Sequence, residues 1–165
     1  MMEASFIIVA SGKGTRMGGT PKQFCQLGSM PMWNWSALVA NALFREGFVG
    51  ECVLVIPDVG KMELDVNFFE IPLRFAPGGM ERVDSVLSGL REASGKMVFV
   101  HDAARPFVSI DLCRRLLRAA GEGGAIPVLP ETDALKRISE TGEVMPVSRE
   151  GIFRTQTPQV FPRHL

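Results

Sequence analysis

The apolar run Met97-Val98-Phe99-Val100 leads without a break into His101-Asp102-Ala103-Ala104-Arg105-Pro106. A continuous apolar stretch of this length, rich in β-branched and aromatic residues, predicts a strand buried on both faces, as in a parallel sheet covered by helices. Its C-terminal end then delivers a carboxylate, a cation and a rigid turn. In an open α/β sheet that end of the strands is where ligands bind. A carboxylate suits Mg²⁺, a hard cation that usually arrives with phosphates.

The other elements follow the same alternation. Ser5-Phe6-Ile7-Ile8-Val9-Ala10 predicts a central first strand ended by a glycine-rich loop, and Cys52–Ile56 a second buried strand stopped by Pro57. Leu73–Ala76 predicts a short third strand before Pro77-Gly78-Gly79, and Met97–Val100 is the fourth. Ala125–Leu129 predicts a fifth, whose internal Pro127 points to an edge or an irregular pairing. Helices are expected over Met32–Glu46, with Trp35, Leu38, Val39, Ala42 and Leu43 inward, over Arg82–Ala93, with Val83, Val86, Leu87 and Leu90 inward, and over Ile110–Ala120. Strands alternating with helices imply a Rossmann-like, mostly parallel sheet with helices on both faces. From Pro130 onward the helical period is lost. Short extended pieces (Ala134–Ile138, Val144–Val147, Ile152–Thr155) separated by turn residues predict a projecting β-arm over 130–160 within one domain.

Composition excludes several classes. The 165 residues carry 18 basic and 18 acidic side chains, so a broad nucleic-acid surface is not expected. Cys25, Cys52 and Cys113 are widely spaced and form no CxxC pair, which fits a reducing cytoplasm and no zinc site. Phe6–Ala10 is too short for a membrane span or a signal core.

The long loop Ser11–Pro31 holds Ser11-Gly12-Lys13-Gly14-Thr15-Arg16-Met17. It is not a Walker A loop, because Gly14 follows Lys13 where Ser or Thr is required. It is not a dinucleotide fingerprint either, because Met17 stands at the third glycine. What remains is a strand, a glycine-rich turn, and the cations Arg16 and Lys22. Glycines such as Gly12 and Gly14 let backbone N–H groups approach phosphate oxygens. Each well-placed cation stabilises charge on a phosphate in flight by about 3–4 kcal/mol. An ordinary solvated surface loop is the alternative reading.

Four blocks carry a closer likeness: Ala10–Met17 with Pro21-Lys22-Gln23-Phe24, then Gly78–Val86, then His101–Pro106, then Gln156-Thr157-Pro158-Gln159. In this order, across nearly the whole chain, they resemble the cytidylyltransferases acting on 2-C-methyl-D-erythritol 4-phosphate, whose pattern runs A-A-G-x-G-x-R-M and then P-K-Q-[FY]. The resemblance implies cytidylyl transfer from CTP to a small phosphorylated polyol, methylerythritol phosphate, with release of pyrophosphate, a step of non-mevalonate isoprenoid synthesis. It implies Arg16 and Lys22 as the catalytic cations. It places Ala10, Ser11, Gly12, Gly14, Gly78, Arg82 and Ser85 at the nucleotide, and Asp102, Ala103, Arg105, Arg149 and Thr157 at the acceptor, with Asp102 also serving Mg²⁺. It further implies a homodimer through the β-arm, from which Arg149 reaches a neighbouring copy's substrate. Neither histidine is needed for the reaction: His101 is expected to pack or hydrogen-bond beside the strand end, and His164 lies near the terminus.

For single residues a plainer alternative stands beside each implied role. Gly78-Gly79 alone reads as a tight turn, Ser85 as a solvent-facing helical serine, and Arg149 as an exposed turn residue pairing with Glu150. Ala134 occupies the family's Thr in D-T-[LM]-K, which removes one hydroxyl from the acceptor side, and Thr132, expected two residues earlier on the same strand face, offers a replacement. Related transferases using ribitol 5-phosphate show D-A-V-R-P, and Ala104 favours the methylerythritol acceptor. A binding module without turnover is the remaining alternative. The family also continues beyond the position of Leu165 into a segment with an Asp and a Lys. A chain without that segment is expected to be weakly active or inactive alone.

Overall fold

The computed structural model describes residues 4–12, 14, 21–60, 62 and 64–165. In chain order it contains β1 (Ala4–Val9), β2 (Gln26–Leu27), β3 (Met30–Pro31), α1 (Met32–Arg45), β4 (Glu51–Ile56), β5 (Leu73–Pro77) and α2 (Arg82–Glu92). Then follow β6 (Met97–Asp102), α3 (Ile110–Ala119), β7 (Val128–Pro130), β8 (Leu135–Ile138), β9 (Val144–Val147), β10 (Phe153–Thr155) and β11 (Gln159–Pro162). A five-stranded sheet has the order β11-β6-β1-β4-β5. Its β1, β4, β5 and β6 run parallel, and β11 is antiparallel to β6.

Alternation along the strands sorts the core into two layers. Phe6, Ile8, Leu54, Ile56 and Phe99 face Trp33, Ala37, Ala40 and Leu43 of α1 and Cys113 and Leu116 of α3. Ile7, Val53, Val55, Val98 and Val100 form the opposite face with Val86 and Leu90 of α2. Each large apolar side chain buried this way stabilises the fold by roughly 1.5–3 kcal/mol before entropy is counted. At Gly89 of α2, an added Cβ would lie 2.7 Å from Ile7 Cγ2 and 2.9 Å from Val55 Cγ2, so the helix sits closer to the sheet than any side chain would allow.

Three expectations need correction. The fifth strand of the central sheet is β11, not Ala125–Leu129. Ala125 makes only an isolated bridge to Val160, and Val128–Pro130 leaves the sheet to pair with β10. Pro127, with no N–H to donate, sits at that departure, and its carbonyl accepts from Gln156 N–H at 2.8 Å. The inward face of α1 is set by Trp33, Ala37, Ala40 and Leu43, while Trp35 and Leu38 are only partly covered. On α2 the small residues Ser85 and Gly89 are buried, and Val83 and Leu87 are exposed.

The long loop after β1 contains a short 3-10 turn, Lys22–Phe24, and the β2–β3 hairpin, neither of which was expected. Beyond β7, β8 and β9 form a separate antiparallel hairpin. Thr132 and Ala134 lie in the loop before β8 rather than on a strand. Among the described residues no helix is long and apolar enough to cross a membrane.

Candidate active site

β1 lies between β4 and β6, and the chain passes to β4 and β5 on one side before returning to β6 on the other. That reversal leaves a crevice beyond the C-terminal ends of β1 and β6, the place where open α/β sheets bind ligands. Backbone bonds fix its floor. Ala10 N–H donates to Val55 O at 2.8 Å, Ala103 N–H to Val9 O at 3.0 Å, and Gly78 N–H to Ile56 O at 2.7 Å. A cavity of about 570 Å³ opens there, lined by Ser11, Gly12, Gln23, Gly79, Glu81, Arg82, Ser85, Asp102 and Arg105 among others.

Gln23 holds the loop that forms one wall. Its buried side-chain amide donates to Ala10 O at 2.6 Å and to Gly12 O at 2.8 Å. Two amide hydrogens thus hold the carbonyls of the residues before and after Ser11. Lys22, the residue before it, is exposed at the start of the 3-10 turn. Gly14 has φ 64°, the left-handed conformation that favours glycine. Arg16 lies outside the described residues.

The opposite wall is the start of α2. Ser85 is buried, not solvent-facing. Its hydroxyl accepts from Ser11 Oγ at 2.8 Å and Gly79 N–H at 3.0 Å, and donates to Glu81 O at 3.1 Å. Gly78 is more than a tight turn: a Cβ there would stand 2.2 Å from Ser11 Cβ. A Cβ at Gly79 would stand 2.1 Å from Asp84 Cβ. Asp84 in turn accepts from Glu81 N–H at 3.0 Å, which fixes the first turn of the helix.

Asp102 is bracketed by two guanidinium groups. Arg82 Nε donates to Asp102 Oδ1 at 2.9 Å, and Arg105 Nε stands 3.4 Å from Oδ2. Arg105 also donates to Gln156 Oε1. Beneath them His101 is fully buried, with its Nε2 3.1 Å from Arg105 O and its Nδ1 2.9 Å from Thr157 Oγ1. Burial pushes its pKa down to about 4, against weaker opposing contributions from the Arg105 carbonyl and the Asp102 charge.

A second groove, of about 920 Å³, adjoins the first at Ala104 and Arg105 and is mostly apolar, with Leu112, Leu116, Val128 and Thr157 in its walls. The structure therefore brings Ser11, Gly12, Arg82, Ser85, Asp102 and Arg105 around one cavity. Ala10 and Ala103 are buried beneath it, and Thr157 faces the neighbouring groove. Arg149 is exposed on the segment between β9 and β10, where it donates to Thr132 O rather than pairing with Glu150.

The chain matches the model of the family described as IspD, 2-C-methyl-D-erythritol 4-phosphate cytidylyltransferase, over residues 4–165. It belongs to that cytidylyltransferase family. Among its relatives, the 2-C-methyl-D-erythritol 4-phosphate cytidylyltransferase of Thermus thermophilus is 37% identical over 97% of this chain and 70% of its own length. The bifunctional enzyme IspD/IspF of Maricaulis maris is 39% identical over 97% of this chain and 43% of its own length. The chain thus spans less than half of the bifunctional relatives it matches. The crystal structure of the Thermus thermophilus cytidylyltransferase superposes with a TM-score of 0.76 at 36% identity, covering 99% of this chain and 72% of that one. The bifunctional IspDF of Campylobacter jejuni gives 0.79 at 27% identity, covering 99% and 42%.

Within this cytidylyltransferase fold, the contacts of two residues that organise the site could not be read from the sequence. Gln23 was legible only as part of the Pro21-Lys22-Gln23-Phe24 block. His101 was expected to pack or hydrogen-bond beside the strand end, as it does, but its partners Arg105 O and Thr157 Oγ1 were not foreseen. Both bond backbone carbonyls, an interaction that no residue pattern encodes.

Proposed function

We propose that this chain catalyses cytidylyl transfer from CTP to 2-C-methyl-D-erythritol 4-phosphate, releasing pyrophosphate. The observation that carries the reading is the cavity at the sheet's switch point with Arg82 and Arg105 in its wall, two cations beside a glycine-rich loop. Membership of the family supports the same reaction. CTP lies with its base against Ser11, Gly79 and Ser85 and its phosphates toward the cations. The acceptor phosphate attacks the α-phosphorus in line, a new P–O bond forms, and the bond to the leaving pyrophosphate breaks. Both reactants are anions. The protein's work is to place them and neutralise the repulsion, with Arg16 and Lys22 as the catalytic cations at the α-phosphate.

Asp102 fits Mg²⁺ as a single protein ligand. Mg²⁺ is commonly held by one or two carboxylates together with substrate phosphates, and among the described residues no cluster of three candidate ligands competes with it. When bound, the ion would neutralise phosphate charge. Asp102 itself holds Arg82 and Arg105 toward the cavity. The acceptor occupies the side shared with the neighbouring groove, near Ala103, Arg105 and Thr157.

We further propose a homodimer through an arm within one nucleotidyltransferase domain, an arm that ends before Gln159 rather than at residue 160 because β11 belongs to the central sheet. Exposed Ile138, Val144, Leu129 and Phe153 support this, since they form an apolar surface suited to a second copy. Arg149 on that arm serves the acceptor phosphate of the neighbouring copy. The three free cysteines fit a cytoplasmic setting.

The test is a pyrophosphate-release assay with CTP, Mg²⁺ and either methylerythritol phosphate or ribitol 5-phosphate. Release with the first acceptor and formation of the cytidine diphosphate ester are expected. Turnover with ribitol 5-phosphate alone, or no binding of CTP by calorimetry, would sink the reading.

A further inference from the structure

We propose that His101 is a positioning residue, whose two ring nitrogens fix the Asp102–Arg105 turn and thereby set the carboxylate and guanidinium at the edge of the cavity. The proposal rests on the cytidylyl-transfer reading for its kinetic consequence and on hydrogen-bond geometry for its structural one.

The turn itself is closed by Arg105 N–H donating to Asp102 O at 3.0 Å. One such bond leaves the two ends free to tilt. His101 ties down both. The partner of Nε2 is the carbonyl oxygen of Arg105, which can only accept, so Nε2 carries the hydrogen. In a neutral ring Nδ1 is then an acceptor, and the Thr157 hydroxyl donates to it at 2.9 Å. The same hydroxyl oxygen accepts from Asp102 N–H at 3.3 Å. The result is a continuous chain: Asp102 N–H to Thr157 Oγ1, Thr157 O–H to His101 Nδ1, His101 Nε2–H to Arg105 O. One rigid ring, with a donor on one edge and an acceptor on the other, spans the turn that carries both charged groups.

The ring cannot drift. His101 is fully buried and meets Phe6 edge-on, with centroids 6.0 Å apart and planes at 62°. Phe6 is itself stacked on Phe99 at 5.2 Å. The position of the turn is therefore referred to the centre of the sheet rather than to the surface. Arg105 borders both cavities, so a tilt of this turn alters the alignment of two substrates, while the nucleotide wall made by Ser11, Gly12, Gln23 and Ser85 stays where it is.

Two substitutions separate the contacts. In His101→Gln the side-chain amide reaches the Nε2 position and still donates to Arg105 O. In His101→Asn the amide is confined to the Nδ1 position and loses Arg105. The expected outcome is a kcat about tenfold lower in His101→Asn, with CTP binding measured by calorimetry without acceptor changed by less than about threefold, and His101→Gln within about threefold of the parent in both. Nitrogen-15 spectra of the unsubstituted protein at neutral pH give a readout free of turnover: Nε2 protonated and Nδ1 bare. The Asp102 amide shift should move in both variants, while that of Arg105 should move further in His101→Asn than in His101→Gln. Equal kinetics in both variants, losses that merely track thermal stability, or an Nδ1-protonated ring would each overturn the inference. Absence of CTP binding by the unsubstituted protein would instead sink the cytidylyl-transfer reading and leave the spectra to decide the role of His101.

Discussion

Arg82 and Asp102, 20 residues apart, meet at 2.9 Å across the mouth of the cavity, one at the start of α2 and the other at the end of β6. The pair joins two segments that share no sheet hydrogen bonds. The Arg82 side chain is 50% exposed and that of Asp102 28%, so water screens the pair and its value to stability is under about 1 kcal/mol. Arg82→Met should therefore leave the melting temperature almost unchanged. It should raise the KM for CTP about tenfold, the expected loss of one charge-assisted phosphate contact. Thermal melts run beside pyrophosphate-release kinetics check both halves. A large drop in stability with an unchanged KM would count against a binding role.

Gln23 makes the opposite prediction. Gln23→Ala strips the Ala10 and Gly12 carbonyls of their side-chain donor in a buried place, at a cost of about 1–3 kcal/mol. Stability and CTP affinity should fall together. Gln23→Glu, of the same size but lacking the amide hydrogens, should behave like the alanine variant. Urea unfolding and calorimetry with CTP supply the comparison.

Gly78→Ala should be disruptive despite its small size. The added methyl would lie 2.2 Å from Ser11 Cβ and 3.4 Å from Ile56 O, so the loop or the strand exit must shift. Overpacking of this kind costs about 1–3 kcal/mol. The companion substitution Ser11→Gly removes the clash and should restore part of the loss, a coupling that a double-mutant cycle measures directly.

Acid sensitivity should come in two stages. His101 is held below its ordinary value, to about 4, so as pH falls from 6.5 the unfolded chain takes up a proton that the folded chain refuses. Stability is full above 6.5 and declines toward pH 4, by up to roughly 3 kcal/mol. Glu51 follows at lower pH. Burial alone would raise its pKa, but hydrogen bonds from Ser5 and Ser94 and the charge of Arg74 outweigh that and hold it below the usual carboxylate value. Its contribution is present at neutral pH and lost as pH drops through the carboxylate range. Melting temperature against pH should show both limbs, and Glu51→Gln should flatten the lower one.

The buried strands β1, β4 and β6 could be read from sequence because each is a run of apolar residues with no competing period. β11 could not. Three residues between Pro158 and Pro162 look like a turn, and their place in the sheet depends on antiparallel pairing with a strand some 60 positions earlier, such as Gln159 with Val100. The inward face of α2 was misread because the closest helix–sheet contact is made by Gly89, a residue with no hydrophobicity to detect. At the site, Asp102 and Arg105 followed from their place after a buried strand. The burial of Ser85 did not, because it depends on Ser11, 74 residues away, coming to rest against it.

On the proposed cytidylyl-transfer reading, that contact has a consequence for how base preference can change. Ser11, Gly78 and Ser85 interlock across three separate stretches of chain, with no spare volume at Gly78 and no free valence on the Ser85 hydroxyl. No one of them can be enlarged or repolarised in isolation. Evolutionary drift toward another nucleobase, or a laboratory redesign with that aim, must exchange all three positions as a cassette.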